Sequence, residues 1–160
     1  MNWHEKNIEF NRLLRQLFHD NDWQIRAEAA RQLGLLKDGR ATNLLCRALR
    51  SEKDHIVVNK IIEALGRIGD GRATLRIIER LEEELDKYDP DKYRIIFIIE
   101  SLIKIRDKRA LGYLGTFLDS SDEELKSLAQ NAFDVIEPNW KEIIKKERNK
   151  TIQEIFKNGK

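Results

Sequence analysis

Cysteine occurs once in these 160 residues, proline twice, histidine three times and glycine eight times. A single cysteine excludes a disulfide framework and any zinc site built from several thiolates, and it fits a reducing compartment. Scarce proline and glycine argue against an all-β fold, which needs turn residues at every strand end. Long apolar stretches are missing as well: the longest run, Ile95 to Ile99, is five residues, against the ~18 that a membrane-spanning helix requires. Residues Met1 to Lys6 are polar and carry no apolar signal core, so the expected setting is the cytoplasm. An excess of one charge is also absent: 30 basic and 28 acidic side chains leave +2, which gives no general nucleic-acid signature. What is present is a hydrophobic fraction of 41%, enough for a real core.

Self-similarity organises the chain. The segments Leu33-Gly34-Leu35-Leu36-Lys37-Asp38-Gly39-Arg40-Ala41-Thr42, Leu65 to Thr74 and Leu102 to Leu111 align, 32 and then 37 residues apart. Asp22, Asp54, Asp91 and Asp122 repeat with spacings of 32, 37 and 31, so two markers share one irregular period. The five extra residues fall in the acidic stretch Glu82 to Pro90. Within each period, apolar residues follow helical spacing in two blocks. Ile25, Ala29, Ala30, Leu33 and Leu36 form the first block, and Ala41, Leu45 and Leu49 the second. Asp22, Asp54 and Asp38 suit helix N-caps, and Gly39 and Gly71 suit the tight turn between the helices. The Ile95 to Ile99 run looks like a strand in isolation, but its register against Val58 to Ile62 makes it helical.

This reading predicts an all-α chain, an α-solenoid of helical hairpins with about nine helices in one domain over 1–160. Residues 1–20 form an N-terminal cap helix, 21–52, 53–88 and 89–120 are repeats, and 121–157 is a last repeat. Pro138 opens its long final helix, which reaches about Phe156. The pattern Asp22…Arg26-Ala27-Glu28-Ala29-Ala30-Arg31-Gln32-Leu33-Gly34…Asp38-Gly39-Arg40-Ala41 resembles the HEAT-like repeats of the phycobilisome-lyase type, over roughly residues 22 to 136. The resemblance is weaker in the third repeat, where Ile103 and Lys108 replace glycines, and the fourth lacks the Asp-Gly-Arg-Ala element. It implies second helices lining a concave face, and an Asp/Arg ladder of Asp38, Arg40, Asp70, Arg72, Asp107 and Arg109 linking neighbouring repeats.

Signs of chemistry are few. His4, His19 and His55 are far apart, and none has the spacing that sets two metal ligands on one helix face. A HEAT-like di-iron hydroxylase resembles this architecture but places His where Ala27 stands. Cys46 lies mid-helix without a histidine near it in sequence. The glycines follow the repeat turns rather than a phosphate loop. No enzyme activity, cofactor or metal is expected.

The expected function is therefore non-catalytic: a protein-interaction scaffold that holds another protein on its concave face. With Ala41, Leu45 and Leu49 taken as the core side, the positions three and seven after the turn alanine are expected on that face. Leu44, Arg47, Arg76, Arg80, Tyr113 and Phe117 are the candidate binding residues. Arg and aromatic side chains are common binding anchors. On the first helices, Phe97 and Leu128 stand where earlier repeats have Glu28 and Lys60, and they are a candidate apolar interface. Two alternatives use the same fold. One is nucleic-acid backbone binding through arginines and the basic segment 138–160, which has seven basic and three acidic residues. The other is a lyase-like or enzyme-associated subunit. Partner identity and oligomeric state have no sequence signature.

Overall fold

The computed structural model describes residues 1–157, and among these there are ten α-helices and no strand. They are α1 (Trp3–His19), α2 (Trp23–Leu36), α3 (Thr42–Ser51), α4 (His55–Ile68), α5 (Thr74–Leu85), α6 (Lys92–Ile105), α7 (Leu111–Leu114), α8 (Glu123–Ile136), α9 (Trp140–Lys146) and α10 (Ile152–Ile155). The chain is all-α, and its hairpins stack in solenoid fashion within two compact units, residues 1–73 and the described residues from 74 onward. Lys160, one of the residues of the basic last segment, lies outside the described residues.

The first helix of each repeat, α2, α4, α6 and α8, starts where the repeated aspartate stands. Asp22, Asp54, Asp91 and Asp122 are all N-caps whose carboxylates accept first-turn N–H groups, as Asp54 does from Ile56 and Val57 at 2.9 and 3.1 Å. The β-branched run Ile95 to Ile99 lies inside α6, because helical register lets it bury Ile95, Ile98 and Ile99 on one side. Between the two helices of a repeat, Gly39–Ala41, Gly71–Ala73 and Lys108–Ala110 each form a single 3-10 turn. Gly39 and Gly71 do not supply the left-handed backbone there. That conformation falls earlier, at the helix C-caps Lys37 (φ 50°), Gly69 (φ 75°) and Arg106 (φ 59°).

In the first unit α2 packs along α4, α1 against α2, and α3 against α4. The two first helices approach closely: a Cβ added to Gly34 would stand 2.7 Å from the Cα of Ala64. The turn alanines Ala41 and Ala73 are wholly buried beside Leu45 and Leu33. In the second unit α6 packs on α5 and α8, and α7 on α8.

Two helices expected as continuous are broken. The second helix of the third repeat is α for only four residues and then tightens to a 3-10 helix over Gly115–Asp119. Gly112 and Gly115 weaken it and admit a close neighbour, for a Cβ on Gly115 would clash with the Ile152 side chain. The final helix is likewise not one rod to Phe156. It stops at Lys146, and Thr151 restarts it with a capping box to Glu154, a Thr-x-x-Glu signal readable in the sequence. The break turns Phe156 back into the core, where its ring meets Phe133 edge-on at 5.3 Å. Phe133 also meets Trp140 at 5.2 Å, and the Trp140 indole donates to Asp134 at 2.8 Å. The tail thus covers the end of the last hairpin, as terminal segments of stacked repeats must.

Replacing Gly34 by alanine is expected to lower stability by about 1–3 kcal/mol, since the added methyl meets backbone rather than a mobile side chain. Gly39→Ala should leave the midpoint of urea unfolding nearly unchanged, its Cβ meeting nothing nearer than 3.9 Å. Equal midpoints for the two variants would contradict the close α2–α4 contact.

Candidate partner-binding surface

Second-layer helices α3, α5 and α7 and the 3-10 helix Gly115–Asp119 carry the expected binding residues. On α3 the buried face is centred on Ala41, Leu45 and Leu49. At about 100° per residue, positions three and seven after the alanine lie only about 60–100° from that centre. They flank the core rather than oppose it. Ala48 is accordingly buried, and so is Phe117, which therefore does not line an open surface and is withdrawn as a binding residue. Leu44 is half-buried, Arg47 exposed and Tyr113 exposed. Arg76 and Arg80 are half-buried and each bonds a glutamate one turn on, Glu79 and Glu83 respectively. Their charges are partly neutralised in place. Phe97 and Leu128, on α6 and α8, are both half-buried, so neither is a freely standing apolar side chain.

The face opposite the core is set by other positions, two and six after the alanine. On α3 these are Asn43 and Arg47, both exposed, with Arg50 one turn further. On α1, 32 residues earlier, they are Asn11 and Arg15, also exposed. On α5 they are Leu75 and Glu79, followed by the exposed Glu82. On α7 Gly112 is covered by the backbone of Phe156. The Asn and Arg of α1 and α3 could have been found by extending the 32-residue period into α1.

The Asp/Arg residues form a local device with inter-repeat reach. Arg40, Arg72 and Arg109 each bond the aspartate two residues before, at 2.6 Å. The same residues also reach neighbouring elements. Arg72 donates to the Gly39 carbonyl at 3.1 Å, the Thr42 hydroxyl donates to Asp70 at 3.2 Å, and Arg40 donates to Asn7 at 3.1 Å. The Arg72 side chain, its backbone N–H and Thr42 together hold Asp70 down at about 2. Asp38 is lowered chiefly by Arg40. For Asp107 burial opposes ionisation, but Arg109 outweighs it; Thr74 also favours the charge, though its hydroxyl closes no well-formed hydrogen bond.

A cleft of about 400 Å³ lies in the first unit where the C-termini of α1 and α3 meet the start of α2. Its wall holds a two-pronged ion pair: Arg26 Nε and Nη2 meet Glu52 at 3.0 and 3.1 Å. Arg26 Nη1 also donates to the carbonyls of Asp20 and Asn21 at 2.9 and 3.1 Å, and Glu52 accepts the N–H of Asp54 at 3.1 Å. The guanidinium thus neutralises free helix-end carbonyls, and its donors are spent on closing the hairpin. His4, His19 and His55 are exposed and Cys46 is buried. Among the described residues no group of three His, Cys, Asp or Glu is placed to hold a metal ion, and no helix is long and apolar enough to cross a membrane.

A family model described as HEAT repeats matches residues 10–88, which run from α1 through α5. With the stacked hairpins, this supports a HEAT-like repeat protein. No curated protein matches the chain.

Folded Asp70 stays charged to about 2, against an ordinary value of 3.8. Its contribution is therefore complete above the ordinary value and lost as pH falls from there toward 2. Asp70→Asn should melt lower than the parent at neutral pH, with the gap narrowing as pH drops through that window. A gap independent of pH would show that the charge of Asp70 is not what stabilises the turn.

Proposed function

We propose that the chain is a non-catalytic scaffold or adaptor that binds another protein through the exposed sides of its second-layer helices. HEAT-like repeats are suited to this, because each hairpin spends its apolar faces on its neighbours and leaves one helix face to solvent. The observation that carries the reading is the side-chain mixture each unit offers by itself: the half-buried Leu44 and the exposed cation Arg47 in the first, and in the second the exposed Tyr113 with Arg76 and Arg80, each paired to a glutamate. Arg and Tyr side chains are common binding anchors. Phe97 and Leu128 are a second, smaller apolar area within the same proposal. The Asp-Gly-Arg-Ala turn supports a reading of the repeats as the phycobilisome-lyase type, without lyase chemistry, and the single buried cysteine suits a cytoplasmic setting. Nucleic-acid backbone binding is disfavoured by the pairing of Arg76 and Arg80 with glutamates.

The tagged full chain, incubated with lysate of its source, should retain one stoichiometric protein. Tyr113→Ala and Arg76→Ala should each weaken that retention at least fivefold with unchanged thermal melting, the scale of a binding hot spot. Retention of salt-sensitive nucleic acid in place of a protein would overturn the reading.

A further inference from the structure

One pattern occurs twice on the first unit's second-layer helices. Asn11-Arg12-Leu13-Leu14-Arg15 on α1 and Asn43-Leu44-Leu45-Cys46-Arg47 on α3 stand 32 residues apart. In each, the central leucine is buried while the Asn and the last Arg are exposed. These two arginines differ from most others in the chain. Arg12, Arg31, Arg76 and Arg80 each have a glutamate three residues away and bond it. Around Arg15 the positions three and four away hold Asn11, Arg12, Phe18 and His19, and around Arg47 they hold Asn43, Leu44, Arg50 and Ser51. Among the described residues neither Arg15 nor Arg47 closes an ion pair. Helix α1 touches α3, and both run antiparallel to α2, so they point the same way. Their axes are therefore about 8–10 Å apart.

We propose that Arg15 and Arg47 clamp two carboxylates of an extended acidic segment of a partner protein, with Asn11 and Asn43 holding the main chain between them. This rests on the protein-binding reading above and names the partner's chemistry. An extended chain advances about 3.3 Å per residue, so three residues span one helix spacing and the fitting pattern is Glu-x-x-Glu. A carboxylate meets a guanidinium fork with two parallel bonds. A side-chain amide carries both donor and acceptor and so matches a peptide N–H and C=O. A phosphodiester backbone offers acceptors only, and two arginines are few for a polyanion whose affinity is summed over many phosphates.

The test is fluorescence anisotropy of a labelled Gly-Glu-Ser-Gly-Glu-Gly peptide titrated with the full chain. Binding should weaken at least tenfold when both peptide glutamates become Gln, and equally in the Arg15→Gln/Arg47→Gln variant. The Lys pair at the same positions should restore part of the loss, since charge returns without the fork, and Arg148→Gln should have no effect. Thermal melts of all variants should coincide. Binding unchanged in the double Gln variant, or a single-stranded oligonucleotide binding more tightly and lost in that variant, overturns the clamp. A peptide that does not bind overturns the clamp even when the partner captured from lysate is still lost on Tyr113→Ala, an outcome that leaves the broader reading intact. A chain that captures no protein at all overturns both.

Discussion

A two-helix hairpin has more apolar surface than its own helices can cover for each other. The excess must be buried against the next hairpin, and the rest of this structure follows from that requirement. Where α2 meets α4, the missing side chain of Gly34 lets the two backbones come together over Ala64. Wholly buried Ala41 and Ala73 do the same at the turns. Small residues here set the spacing between hairpins, and larger ones such as Leu33, Leu45, Ile61 and Ile62 fill the volume it defines.

Stacking brings chain turns side by side, and turns carry free backbone groups. One aspartate per helix start meets first-turn N–H groups, and the Asp-x-Arg turns neutralise themselves in place. Their contact with the neighbouring turn then needs only hydrogen bonds such as Arg72 to the Gly39 carbonyl. The solution is charged but economical, because each Asp–Arg pair is formed within one turn and does not depend on a distant partner. At the C-terminal end the same requirement is met differently. The open flank of the last hairpin is closed by a segment that breaks, restarts and folds Phe156 inward.

Once the hairpins are stacked, the faces of α1 and α3 opposite their cores are among those left to solvent. This separates the arginines by role. Arg12, Arg31, Arg76 and Arg80 each pair with a glutamate one turn away, and Arg26 seals the polar end of the first hairpin.

The sequence by itself determined the helical class, the repeat period, the four aspartate caps and the location of each hairpin turn. All of these depend on residues close in the chain, where helical spacing and local hydrogen bonds dominate. Ile95 to Ile99 was legible as helix only through its register with the other repeats. The aspects that tertiary structure alone decided are those set by neighbours. Phe117 is buried because positions three and seven flank the core. The final helix broke because Ile152 and Phe156 found places against Gly115 and Phe133. The exposure of Asn11, Arg15 and Asn43 opposite the core, beside that of Arg47, was also decided there. Which side of an amphipathic helix stays open is fixed by what packs beside it, and a one-dimensional pattern defines a face without saying which neighbours will cover its edges.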